Sequence, residues 1–256
     1  MNTRIFLPKF SKVYLSIFLA LTLALPTSVY GVGSGDNPSL INDIPTEKQQ
    51  KALQEKMQLV KQYEKERKTQ FSNDNKLNTL SSSVKTLSVP SFEQETYYWC
   101  GPATVKQVLD SINGSSNSQS YYANELGTTT SGTVFSLVDD ILNDHQTDTT
   151  YVYTDFQSNE YNTWESIMMA AVDLFYVPAV LDLKITPSNM PLYTSNVAGH
   201  ILNNSGYDIS DSNNKKIRLT DPFDQGGRGV TIGNVWHPME GVWNANQAHF
   251  RKAVIY

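Results

Sequence analysis

Apolar positions recur at helical spacing in the middle of the chain and alternate, or run together, towards its end. Ala103, Val105, Val108, Leu109 and Ile112 fall three and four residues apart, which predicts an amphipathic helix leading away from Cys100. Tyr121–Leu126 reads as a short helical stretch after the polar loop 114–120. Val134, Leu137, Val138 and Ile141 give a second periodic face over Thr133–Leu142, and Asn162–Leu174 gives a third, with Asn162 or Thr163 as its cap. The pattern then changes. Thr149–Phe156 alternates as a strand does, and Val177–Leu183 is a strong apolar strand. A further strand runs from Asn196 to about Ile209. The turn Asp211-Ser212-Asn213-Asn214 then returns the chain through Lys216–Thr220 as a hairpin. Helices first and strands after predict an α+β fold, not a βαβ series.

Upstream of this the pattern is different in kind. Arg4, Lys9 and Lys12 precede the uncharged apolar run Val13–Leu25, and Pro26, Ser28 and Gly31 follow it. That is the layout of a secretory signal peptide, 1–31, with cleavage after Gly31. The run is short for a transmembrane span, so no stable membrane insertion is expected once the signal is removed. An uncleaved signal anchor is the alternative. Residues 32–87 form a separate segment, a linker followed by the predicted helix Thr46–Lys68. Leu53, Met57 and Val60 make a thin apolar stripe there, amid Lys and Glu, and a Ser-rich connector follows. Two readings stay open for it: a solvated spacer, or a basic prosegment whose helix docks on the following domain and covers its cleft. Residues 88–256 are the main domain.

Charge sharpens the division. The 256 residues carry a formal −5. Residues 1–31 hold three bases and no acids, and 32–85 hold nine Lys or Arg against seven Asp or Glu, which leaves about −10 on the rest. Such an acidic domain disfavours nucleic acid as a partner. Neither a phosphate-binding glycine loop nor a recognisable metal-ligand spacing is visible, so no cofactor and no metal are expected. The chain has one cysteine, so a secreted form has no internal disulfide, and Cys100 is either buried and inert or reactive.

The surroundings of Cys100 favour reactivity. Pro102 suits the first turn of the helix, which puts Cys100 at its N-terminus, where the helix dipole favours a thiolate. Six residues earlier, Gln94 offers an amide donor to an oxyanion. In the predicted hairpin, His200 near the start of one strand and Asp221 at the end of the other emerge at the same end, as a base and its orienting carboxylate require. Pro222 ends the ladder just after Asp221. The other histidines read differently: His145 as solvated in a polar loop, His237 in a loop beside Trp236, His249 in an alternating run near residue 256. Asp208 and Asp224 are weaker candidates as orienters. Tyr97, Tyr98 and Trp99 either wall a substrate groove or pack under the helix. The pair Gly226-Gly227 reads as a tight turn.

Gln94, five residues, then Cys100-Gly101-Pro102-Ala103, with Gly199-His200 and Asp221-Pro222 downstream, resembles cysteine peptidase family 39 and its wider group of secreted peptidase-like proteins. The resemblance covers roughly residues 88–225. It implies a papain-like fold, with a helical half carrying the nucleophile packed on an antiparallel sheet carrying the histidine. It also implies a Cys100–His200–Asp221 triad, with Gln94 as oxyanion donor, acting on a peptide or protein substrate. The resulting expectation is a secreted cysteine peptidase, possible also at the cell surface. A cell-wall peptide amidase or acyltransferase using the same residues is an alternative, as is a catalytically idle surface protein that binds peptide. One departure stands out: where relatives continue from Gly-His in valines or similar residues, this chain has Asn203-Asn204-Ser205, which predicts a strand that faces a polar cleft or pairs irregularly.

Overall fold

The computed structural model describes residues 45–73 and 83–256, with the side chains of 70–73 left aside. The signal-like stretch 1–31 and the linker after it therefore lie outside the described residues. The helices follow the apolar periods. Helix α1 is Glu47–Asn73, α2 is Cys100–Asn113, α3 is Gln119–Glu125, α4 is Val138–His145, α5 is Tyr161–Asp173 and α6 is Met239–Ala248. The stop of α2 is local: Gly114 takes a left-handed φ of 73° and returns its N–H to Asp110 O, an end that glycine makes at little cost. The predicted helix over Thr133–Leu142 begins instead as a single 3-10 turn, Phe135–Leu137, before α4.

Seven strands form one antiparallel sheet in the order β2-β7-β3-β4-β5-β6, with β1 on β4. They are β1 Val84–Thr86, β2 Tyr153–Asp155, β3 Ala179–Ile185, β4 Val197–Asp208, β5 Lys216–Asp221, β6 Gly233–Pro238 and β7 Ala253–Ile255. The hairpin β4–β5 is the one the turn chemistry predicted, with Tyr207 opposite Ile217 and Asn203 opposite Thr220. His237, expected in a loop, lies in β6, which α6 and β7 follow. Trp236 lies in β6 and Trp243 in α6.

Helices cover both faces of the sheet. One core joins Trp164, Ile167 and Met168 of α5 and Val242 of α6 to Leu181, Leu202 and Leu219 of the strands. The other places Val105, Val108 and Leu109 of α2 and Leu142 of α4 against Val180, Ile201 and Ile255. Asn203, Asn204 and Ser205 sit in the centre of this arrangement, fully buried, so β4 does not face a polar cleft there. All of their side-chain polar atoms but Asn203 Oδ1 are paired instead, as burial favours. Asn203 donates to Gln107 Oε1 at 2.8 Å, Asn204 donates to Met168 O at 2.8 Å, and Arg218 donates to Ser205 Oγ at 3.1 Å. The irregular pairing does occur, as a register shift between Asn204 and Gly206.

Helix α1 packs into the same core. Thr46 and Gln49 close a reciprocal cap, Gln49 N to Thr46 Oγ1 at 3.2 Å and Thr46 N to Gln49 Oε1 at 2.8 Å. Val60 is buried, and Leu53 and Met57 pack beside it. Lys56 is buried too, with its ammonium 5.0–5.7 Å from the ring centroids of Tyr151, Phe175 and Tyr256 and bonded to Tyr256 O at 2.8 Å. Further along, Tyr63 donates to Asp173 Oδ2 at 2.9 Å. With Gln49 Nε2 donating to Asp139 Oδ2 of α4 at 3.0 Å, these contacts run from α4 past Tyr256 to the end of α5. The connector before residue 88 also joins the sheet, since β1 pairs with Gly206–Asp208 of β4.

Candidate active site

The first turn of α2 brings Cys100 against the start of β4. Trp99 precedes the helix with φ −102° and ψ 25°, and no side chain caps this end, so the dipole and the first N–H groups act on whatever lies there. Thr104, one turn on, donates to Ile201 O at 3.0 Å and pins the helix to the strand beside His200. Gly101 lets the same turn approach the loop before α4: a Cβ there would lie 2.4 Å from Thr133 Oγ1.

The register explains how His200 meets Asp221. Asn203 pairs with Thr220, so one step along Leu202 stands opposite Asp221, and His200 lies diagonally across on the same side of the pleat. Imidazole and carboxylate close the gap, with His200 Nε2 donating to Asp221 Oδ1 at 2.7 Å. That bond leaves Nδ1 for the Cys100 thiol, which lies within hydrogen-bonding reach of the ring. Asp221 is fully buried, and it accepts two more bonds, from Phe223 N to Oδ1 at 2.8 Å and from the Tyr193 hydroxyl to Oδ2. The Phe223 ring meets the imidazole edge-on, with centroids 5.8 Å apart.

Electrostatics follow from this burial. Desolvation alone would strip the proton from His200. The charge and hydrogen bond of Asp221, joined by the Cys100 thiol, outweigh it and push the imidazole up to about 10. His237 has no such partner. It sits in β6, buried, with neither ring nitrogen hydrogen-bonded, and burial lowers it to about 4 against a partial pull from the Asp221 charge. His249 is likewise lowered to about 4, by burial and then by the charges of Arg251 and Lys184. His145 is not simply solvated: its Nε2 meets Glu125 Oε2 at 2.6 Å.

Gln94 is held near Asp221 by its main chain and not by its side chain. Gln94 N donates to Pro222 O at 2.8 Å, next to Asp221. Its side-chain Nε2 donates to Thr96 O at 2.8 Å, and its Oε1 is buried without a partner. An amide nitrogen carries two N–H groups, so one remains beyond the Thr96 bond. Tyr97 does not pack under the helix: it is 57 % exposed, and it, Tyr98 and Trp99 meet edge-to-face, with successive centroids 4.9 and 6.3 Å apart.

Cys100 and His200 are 0 % and 1 % exposed, so the pair is closed to solvent in this conformation. Depressions are found elsewhere on the described residues. One, of about 390 Å³, is lined by residues of α1, α5 and the β4–β5 turn, among them Arg67, Glu165 and Lys215. Tyr193 is the neighbour of Asp221 that the sequence did not reveal. It lies in the loop before β4, and no spacing or motif ties it to Asp221, so only the folded geometry identifies it.

A protein-family model described as "Peptidase_C39 like family" matches residues 86–249. No curated protein sequence matches the chain.

Proposed function

This chain belongs to the Peptidase_C39-like family, and from that premise we propose that it is a thiol peptidase whose reaction is carried by Cys100, His200 and Asp221. The observation that carries the reading is the continuous buried line from the Cys100 thiol through the His200 ring to Asp221. Asp221 holds the His200 imidazole charged, and a protonated imidazole beside a thiol is the setting that activates a nucleophilic sulfur. The thiolate sulfur attacks the peptide carbonyl carbon, and the oxyanion formed is taken by the Cys100 N–H and the Gln94 amide. His200 then gives its proton to the leaving nitrogen as the C–N bond breaks, leaving a thioester. Water attacks the thioester while His200 takes its proton back, and the carboxylic acid leaves as the sulfur is released. Asp221 fixes the ring throughout and does not itself take the proton.

The run Tyr97–Trp99, with Tyr97 exposed and Tyr98 and Trp99 partly buried, supplies an aromatic wall next to Cys100 in sequence, suited to an extended peptide. Export is part of the proposal, resting on the pattern of residues 1–31 alone. Sequencing the N-terminus of protein recovered from the medium would test it, with a start at Val32 expected and an intact Met1 contrary.

The complete burial of Cys100 favours a second reading, a domain that binds peptide without cutting it. Incubating a mixed peptide library with the protein, Cys100→Ala and His200→Ala separates the two. New peptide termini that appear with the unaltered chain and vanish in both variants support the peptidase. Peptide retention with no new termini from any of the three supports the idle binder and ends the hydrolytic proposal.

A further inference from the structure

We propose that Tyr193 is a positioning residue of the thiol reaction, acting through Asp221 to hold His200 in line with Cys100. The inference rests on the peptidase reading above and adds to it a residue outside the expected set. Asp221 reaches His200 through Oδ1, and Oδ1 also accepts Phe223 N. A carboxylate held only at that oxygen would be free to turn about its Cβ–Cγ bond and swing its lone pairs away from His200 Nε2. The Tyr193 hydroxyl occupies Oδ2, so donors at both oxygens fix the carboxylate plane.

The phenol is itself held. Tyr193 is 1 % exposed, its N–H is bonded to Met190 O at 3.0 Å, and the next residue is tied down by Thr194 N donating to Gln225 Oε1 at 2.7 Å. Gln225 in turn donates to Ser195 O at 3.0 Å, so the loop before β4 is braced against the loop after β5. The His237 ring lies 6.3 Å from the Tyr193 ring, and neither of its nitrogens takes the hydroxyl. The hydroxyl is therefore committed to Asp221. Burial makes that commitment consequential, because no water is at hand to replace a lost donor. Tyr193 touches neither thiol nor substrate in this scheme, and its effect passes entirely through the carboxylate.

The test is a double-mutant cycle on the full chain, read as the second-order rate of Cys100 alkylation by iodoacetamide at pH 7, with melting recorded beside it. Tyr193→Phe keeps the ring and removes only the oxygen. We expect it to melt cooperatively and to slow alkylation about tenfold, the size of effect seen when two groups act as one unit. In an Asp221→Asn background the same change should alter the rate by less than about twofold, since the group it acts through is already altered. It should also do nothing in a His200→Ala background, where no ring remains to be placed. An unchanged rate in Tyr193→Phe overturns the inference. So does an equal loss in all three backgrounds, or a variant without a cooperative transition, since each would make the hydroxyl idle or merely structural. If the unaltered chain reacts no faster than His200→Ala, the peptidase reading itself has failed, and the positioning role falls with it.

Discussion

Between Cys100 and Pro102 there is no room for a side chain. A Cβ on Gly101 would meet Thr133 at 2.4, 2.8 and 2.9 Å, and Thr133 is itself tied to Thr128 by a 2.8 Å hydroxyl bond. Gly101→Ala should therefore cost about 1–3 kcal/mol, the usual range for overpacking a filled site. Adding Thr133→Ala should return part of that, and a denaturant midpoint series would measure both. For Gln94→Ala the expected change is in rate and not in folding: about a 10²–10³-fold loss in kcat with the melting temperature held, as for removal of one oxyanion donor. An unchanged kcat would remove Gln94 from the site. At this scale the sequence was legible where chemistry and position coincide. A lone cysteine before Gly-Pro and a histidine and an aspartate at matching ends of a hairpin imply one another. Tyr193 was not, because a tyrosine in an irregular loop carries no period and no spacing, and the same holds for the backbone donor at Phe223.

Helix α1 shows what an element's pattern conceals. Its apolar stripe was thin because part of its buried face is polar. Gln49 donates to Asp139 and Asp140, and Lys56 sits among three rings. Long side chains bury their stems while satisfying their ends, so a hydropathy pattern undercounts the contact. The contacts of α1 described above join it to α4, α5 and the C-terminal strand. Val60→Ala should then lower stability by about 1–3 kcal/mol, given the loss of a buried branched side chain. It should leave the alkylation rate of Cys100 per folded molecule unchanged, and a change in that rate would tie the helix to the site. In the central strand the irregular pairing was legible, and the polar-cleft alternative failed for the same physical reason as in α1. Asn203, Asn204 and Ser205 are polar and fully buried, and neighbouring groups pair most of their polar atoms, Asn203 Oδ1 excepted. Elements β6 and α6 were missed because short segments with mixed polarity have no period to read, and β7 because three apolar residues are too few to show one. The long helices α2 and α5 and the β4–β5 hairpin were legible because each repeats its pattern over more than two turns or across a strong turn.

The whole molecule couples its charge state to its stability through a few buried groups. His237 and His249, lowered to about 4 from 6.5, stay neutral in the fold while the unfolded chain takes up protons. Stability should rise with pH between about 4 and 6.5, by at most about 1.4 kcal/mol per pH unit for each proton involved. Above that, two groups oppose one another. His200 keeps its proton in the fold up to about 10, so its contribution is complete below 6.5 and is lost as pH rises through 10. Lys56, lowered from 10.5 to about 7 by burial, is neutral in the fold while still charged when unfolded, so it raises stability over about 7 to 10.5. The melting temperature should climb from pH 4 to 6.5 and nearly level off between 7 and 10. Calorimetry across that range checks it, and a flat acid side would contradict the burial of the two histidines. The same imidazole carries the central claim, that Cys100 and His200 form an activated pair, and the pH dependence of Cys100 alkylation in the unaltered chain and in His200→Ala tests it most directly. A paired thiolate predicts fast alkylation already at pH 6–7, with His200→Ala at least about tenfold slower there and gaining only as an ordinary thiol ionises near about 8.5. Coincident profiles for the two proteins would contradict it and leave Cys100 a buried, unactivated thiol.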